Sequence, residues 1–276
     1  MSDGEVRFGR NGEIATVIFD RPAARNAMTW GMYEQLDQAC ARIRREEGLR
    51  VAVFCGAGGK AFIAGTDIAQ FEAFRSGDDG LAYEEKMEGI LGAIEALPVP
   101  TLAVIEGFAI GGGLAIAAAC DLRIATPGSR FGVPIARTLG NCLSIANYAR
   151  LIAALGVSRA KRMLLMAENL SAEEALAAGF LAEIAAPENL DRRVGELCAR
   201  LAQHAPITMR VSKEAIRRLC APACRMETIS CARAMPATTS GMVSKLSWAN
   251  ASRTGRDDEV AGQGRLRGGT LLIGRI

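Results

Sequence analysis

Histidine is almost absent: the 276-residue chain holds one, His204. A Ser-His-Asp or Cys-His relay would have to use that residue, and its setting, QHAP at an expected helix end, assigns it to the surface. Aromatic residues make up 5% of a chain that is half hydrophobic, so the core must be built from Ala, Leu, Ile and Val. Net charge is small too, and a formal charge of +3 does not argue for nucleic acid or an anionic membrane as a partner. No apolar run approaches membrane-spanning length, and the opening MSDGEVRFGR has no apolar signal region, which leads to the expectation of a cytoplasmic protein. The eight cysteines lack ligand-like pairing, since Cys220 and Cys224 have no histidine nearby; free thiols and no metal are expected.

What the chain does have is the stretch from Thr101 to Ala125, TLAVIEGFAIGGGLAIAAACDLRIA. It reads as a buried strand, a turn containing Gly111, Gly112 and Gly113, and a helix of small residues. The free N–H groups at such a helix start, with the positive end of the dipole behind them, favour negative charge on a bound group. Three roles suit it: phosphate binding, an oxyanion hole, or simply close helix–strand packing. Neither G-x-G-x-x-G nor G-x-x-x-x-G-K-[ST] can be read through AIGGGLAIA, which excludes the phosphate motifs.

In chain order, Glu13 to Phe19 predicts a strand stopped by Asp20-Arg21-Pro22. Thr29 predicts an N-cap for a helix to about Glu47, with an apolar stripe of Tyr33, Leu36, Ala39, Cys40 and Ile43. LRVAVFCG reads as a strand buried on both faces. GAGGKAFIAGTDIAQF is a second glycine-rich loop, and Ala61 after Gly59-Lys60 rules out a phosphate loop there. Residues 75–82 are polar and glycine-rich and are expected to be mobile, with a helix from about Ala82 to Leu97 ended by Pro98-Val99-Pro100. Further on, Ser129 to Pro134 and Leu181 to Ala186 predict short strands, and Leu143 to Leu155, Ser158 to Ala167, Leu190 to Gln203 and Ile207 to Leu219 predict helices. Ser171 and Glu174 form a capping box for a helix closed by Gly179.

With these pieces in order, the chain resembles the crotonase superfamily, also called the enoyl-CoA hydratase/isomerase family. The segments that carry the resemblance are RPAARNAM, KAFIAGTDI, IEGFAIGGGLAIAAACDLRIAT, FGVP, LSAEEALAAGFLAEI and SKEAIRRL, from about residue 5 to about 219. The resemblance implies an α/β fold, a crotonase-like spiral of ββα units over residues 1–195, with a helical C-terminal region beginning at 196–219. It also implies an acyl-CoA thioester as substrate, no further cofactor, and a homotrimer or hexamer if the C-terminal region is intact. The family's two enolate-stabilising amides fall on Thr66 and Gly112, donors worth about 3 kcal/mol of barrier each. Arg25, Ala27 and Ala64 match its CoA-binding loop, with Asp67, Ile68 and Gly111 completing the substrate side. The residues alone leave Arg25 open to an ordinary solvated loop role and Asp67 to a helix cap.

The departure lies in the proton carriers. Hydratases of the family carry one Glu two residues beyond the glycine triplet and another after the Pro of F-G-x-P, where this chain has Ala115 and Ile135. Adding water needs one group to activate it and another to protonate the α-carbon. Arg137, Asn141, Ser144 and Glu106 are the remaining polar candidates; Arg137 and Asn141 would share a face if their segment is helical. Those two would orient a water, an acyl carboxylate or a second oxyanion, or else belong to ordinary loop packing. Asp121 and Arg123 read as structural charges. A rival reading is an acyl-CoA-binding protein without turnover, or another enolate reaction such as decarboxylation, thioester hydrolysis or carbon–carbon cleavage.

From Cys220 to Ile276 the apolar residues follow no period, and the family's closing segment is missing. Reading each codon's third base with the next two forces Gly at Met226-Glu227, Met242-Val243 and Trp248-Ala249, and permits a family-like ending, DDFRNGVEAFLGERIANWTGR. A one-base slip near codon 219 or 220 is therefore expected, the alternative being an unrelated tail. A gene sequence unable to encode DDFRNGVEAF in the shifted frame excludes the slip. The literal 276-residue product is expected to be poorly stable.

Overall fold

Alternation and turn chemistry set the first elements. An antiparallel hairpin of β1 (Glu5–Asn11) and β2 (Ile14–Asp20) opens the chain in this computed structural model, which describes residues 3–72, 74–138 and 142–220. The sequence predicts no strand before Glu13. β1 is an edge strand, mostly exposed and rich in charge, which hides the period. Thr29 then caps α1 (Trp30–Arg45), its hydroxyl accepting the Met32 N–H at 3.3 Å, and all five residues of the expected stripe are buried.

From here a strand–strand–helix unit repeats. β3 (Val51–Gly56) and β4 (Ala61–Ile63) lead to α2 (Gly77–Glu95), and β5 (Thr101–Ile105) and β6 (Phe108–Ile110) lead to α3 (Gly112–Ala119). β7 (Leu122–Ala125) and β8 (Arg130–Gly132) lead to α4 (Ile145–Leu155), followed by α5 (Val157–Leu165), β9 (Leu170–Ser171), α6 (Ala172–Ala177), β10 (Glu183–Ile184), α7 (Pro187–Gln203) and α8 (Pro206–Cys220). The first strand of each unit joins one sheet, ordered β1-β2-β3-β5-β7-β10, and the second joins another, ordered β4-β6-β8-β9. Parallel pairing between successive units makes this the expected spiral.

β3, β5 and β7 are buried on both faces, which is why LRVAVFCG has no polar alternation. Ala52, Phe54, Ala103 and Ile105 face α1, α2 and α3, whereas Val51, Val53, Leu102, Val104 and Ile124 pack with Leu190 and Leu197 of α7.

One expectation is corrected. The helix expected from about Ala82, after the polar residues 75–82, starts earlier: α2 begins at Gly77, because Asp79 Oδ2 accepts the N–H groups of Ser76 (2.8 Å) and Arg75 (2.7 Å) and caps the helix early. Among the described residues no helix is long and apolar enough to cross a membrane, and the six cysteines are unpaired. The tail with its expected frame slip, and Asn141, lie outside the described residues.

Candidate active site

Register brings the two glycine-rich turns together. β4 pairs parallel with β6, Ala61 opposite Phe108 and Ile63 opposite Ala109, so the residues that follow each strand emerge side by side. After β4 the chain runs through Ala64, Gly65 and Thr66, pinned by the RPAARNAM loop. Ala64 N–H donates to Arg25 O (3.1 Å), Met28 N–H to Gly65 O (2.9 Å) and Asp67 N–H to Met28 O (2.9 Å). Thr66 thus forms a single parallel bridge with Met28 through the groups on either side of it. Alternation along extended chain turns the Thr66 N–H the other way, where no described residue accepts it.

The second turn lies against the first. Gly111, at φ 54°, has Gly65 Cα 3.8 Å from where a Cβ would stand, and its N–H donates to Gly132 O at 2.8 Å. A Cβ on Gly112 would lie 2.7 Å from the Tyr33 hydroxyl and 3.3 Å from Thr66 Oγ1, and one on Gly113 only 2.2 Å from Ile63 O. Gly112 and Gly113 therefore leave room for the neighbouring turn and the β4 backbone, while Gly111 supplies the positive φ. Gly112 is the first residue of α3, so its N–H has no partner within that helix.

A small polar cluster joins the turns. Thr66 Oγ1 is 2.7 Å from the Tyr33 hydroxyl and 3.0 Å from the Tyr83 hydroxyl. Burial pushes the Tyr83 phenol up to about 12 and Tyr33 well above its ordinary value, so both stay protonated at neutral pH. Trp30, Phe71 and Tyr83 pack edge-on or tilted around them, the Phe71 and Tyr83 rings 5.1 Å apart.

Beyond Gly112 a cavity of about 30 Å³ is lined by Tyr83, Glu84, Gly111, Ala115 and Asn147 among others. It has room for about one water and nothing larger. Glu84, on α2, is 8% exposed; its Oε2 accepts the Ser144 N–H at 2.8 Å and approaches Asn147 Nδ2 at 3.5 Å. Burial raises its carboxyl above the ordinary carboxylate value, while the Ser144 and Asn147 contacts pull the other way. Asn147 Oδ1 in turn accepts from Arg150 (2.7 Å), which pairs with Glu88 (2.9 Å) and Glu95 (2.6 Å).

Of the residues singled out in the sequence, Thr66, Gly111 and Gly112 meet here and Ala115 lines the cavity. Asp67 caps the short turn Ile68–Phe71, accepting the Ala69 N–H at 3.2 Å, and pairs with Arg21 at 2.7 Å. Ala27 is buried, Ile68 is exposed, and the Arg25 guanidinium lies 5.3 Å from the centre of the Phe108 ring. Arg137 is exposed and follows the single turn Pro134–Ala136 rather than a helix, so it is not brought to this cavity. Ile135 is half-buried against the core, and Glu106 lies beside Gly59. Ser144 caps α4 and holds Glu84; Asp121 and Arg123 are internal, Asp121 accepting from Thr101 and Lys213 and Arg123 donating to the Ala117 and Phe180 carbonyls. His204 ends α7 at the surface.

Glu84 was not singled out in the sequence. Its signal is a carboxylate at helical spacing among Gly80, Met87, Leu91 and Ile94, all buried on one face of α2.

A family model described as "Enoyl-CoA hydratase/isomerase" matches residues 9–240. The chain is 32% identical over 223 residues to the short-chain-enoyl-CoA hydratase of Clostridium acetobutylicum, covering 79% of this chain and 83% of that one. It is 35% identical over 214 residues to the mitochondrial enoyl-CoA hydratase domain-containing protein 2 of Bos taurus, covering 76% and 72%. A solved enoyl-CoA hydratase/carnithine racemase from Magnetospirillum magneticum superposes with a TM-score of 0.75 at 32% identity, over 80% of this chain and 83% of that one. Glycine turns set side by side by a ββα spiral, on a sequence matched along most of its length, place the chain in the enoyl-CoA hydratase/isomerase family of the crotonase superfamily.

Proposed function

We propose that this protein acts on acyl-CoA thioesters by a hydratase/isomerase type of chemistry, the thioester oxygen being held, as it becomes negative, by the backbone N–H groups of Thr66 and Gly112. The observation that carries this reading is the approach of the two turns, where a Cβ on Gly112 would lie 3.3 Å from Thr66 Oγ1 and Gly112 itself lines the neighbouring cavity. Two converging amides cost no reorganisation when charge develops, and the positive end of α3 adds to them. Arg25, Ala27 and Ala64 would lie on the CoA side.

Ordinary two-carboxylate hydration does not follow, since Ala115 and Ile135 occupy the positions of both acids. The same loss favours a second reading, an acyl-CoA-binding protein without turnover. Crotonyl-CoA separates them. A rise in Tm on adding it, with loss of the conjugated thioester absorbance slower by about 10²–10⁴-fold than a two-carboxylate hydratase gives, is the expected result. Binding without turnover of any enoyl, dienoyl or malonyl-type ester favours the second reading. No shift in Tm with any acyl-CoA overturns both.

A further inference from the structure

We infer that Glu84 supplies the proton carrier missing at Ala115 and Ile135: from α2, its carboxylate takes a proton from the acyl carbon next to the thioester and returns it. This rests on the proposed thioester site. Four observations lead to it. Glu84 lines the cavity that opens beside Gly112 and Ala115. It is nine-tenths buried on a helix face otherwise made of Met87, Ile90, Leu91 and Ile94, where a carboxylate has a cost and no packing advantage. Among the described residues no basic side chain pairs with it, because Arg150 is engaged by Asn147, Glu88 and Glu95. Among the described residues its hydrogen-bond donors are the Ser144 N–H and, at the outer limit, the Asn147 amide.

The step balances within the site. Glu84 as carboxylate accepts the proton; the C–H electron pair becomes the new carbon–carbon double bond of an enolate, and the thioester oxygen takes the negative charge between Thr66 and Gly112. The neutral acid then returns the proton, either to the same carbon or, for an unsaturated acyl group, two carbons along, which moves the double bond. One carboxyl suffices for such a shift, whereas hydration also needs a group to activate water. Proton transfer within the acyl group, not addition of water, is therefore the reaction class of this site.

A purely structural alternative is that Glu84 only caps α4 through Ser144. Glu84→Gln keeps an oxygen that accepts the Ser144 N–H and removes the titrating group, so it separates the two. The probe is but-3-enoyl-CoA in deuterium oxide, with deuterium entering the acyl group read by mass spectrometry and thioester affinity by calorimetry. The wild type is expected to bind and take up deuterium. Glu84→Gln is expected to bind within about threefold and lose uptake by about 10²–10⁴-fold, the usual contribution of a positioned acid or base. Uptake by Glu84→Gln at the wild-type rate overturns the assignment, as does a wild type that binds without uptake. A wild type that does not bind the thioester overturns the proposed function as well. Should Glu84→Gln melt below the assay temperature, Glu84→Asp replaces it: with binding intact, a fall in uptake of at least about tenfold is expected and an unchanged rate overturns the inference.

Discussion

At Gly113 an added methyl would stand 2.2 Å from the Ile63 carbonyl oxygen and 2.7 Å from Ile63 Cβ, in the middle of the β4–α3 contact. At Gly112 it would meet the Tyr33 hydroxyl and Thr66 Oγ1, the groups that join the two turns. The two substitutions should therefore fail differently. Gly113→Ala pushes on backbone and should cost about 1–3 kcal/mol of stability by overpacking, seen in chemical denaturation. Gly112→Ala should stay folded and lose about 10²-fold in turnover, because it shifts the proposed donor by a fraction of an ångström to an ångström. Equal loss of stability in both would mean that the triplet serves packing alone. Glu84 makes a second prediction at this scale. Burial raises its folded-state pKa above the unfolded value, and its neighbours Glu88, Tyr33, Tyr83 and, through Asn147, Arg150 leave that direction unchanged. A group shifted upward contributes stability that is fully present below its unfolded pKa of about 4.3 and is lost as pH rises through the folded value. Wild-type Tm relative to Glu84→Gln should accordingly fall with rising pH over that window and then level off. A difference that grows in the wild type's favour as pH rises would show that the charged carboxylate is the stable form.

Elements whose signals are local were legible in the sequence. α1 announces both its cap at Thr29 and its stripe, and β3, buried on two faces by α1 and α7, shows as an unbroken apolar run. α2 shows the limit, because a capping box from Ser76 and Asp79 overrides two glycines, Gly77 and Gly80, that read as breakers. The candidate site divides along the same line. Its glycines were visible because glycine marks close approach, but their meeting depends on the parallel register of β4 against β6, which no residue pattern encodes. Glu84 is harder to read, because the family pattern places the carboxylates at Ala115 and Ile135. α2 crosses α3 from a different part of the sequence and brings its own carboxylate to the same cavity. The spacing of Arg137 predicts a helical face, whereas Arg137 ends the single turn Pro134–Ala136.

Among the described residues burial is unevenly spread, and α8 has the least of any long helix. None of its residues is buried, and Ile207, Val211, Ile216 and Leu219 are exposed by 68%, 59%, 60% and 85%. Its attachment runs through Lys213, which donates to Asp121 Oδ2 at 2.6 Å and to Val99 O at 3.2 Å. Asp121 is also the acceptor for the Thr101 N–H and hydroxyl, so this one carboxylate ties α8 to the starts of β5 and β7. Hydrogen exchange should then find α8 opening well before β3, β5 and α3, whose side chains lie in the core. Lys213→Ala tests the tether. The pair is partly buried, Lys213 at 11% and Asp121 at 31% side-chain exposure, so its loss should cost about 1–2 kcal/mol, between a surface and a buried bridge. That corresponds to a fall of about tenfold in the protection of α8 amides. Protection in β5 should hold, because Asp121 keeps both Thr101 donors. If the variant instead lowers protection in β5 and α8 together, α8 opens with the sheet as one cooperative unit, and the picture of a core with a separately hinged closing helix fails.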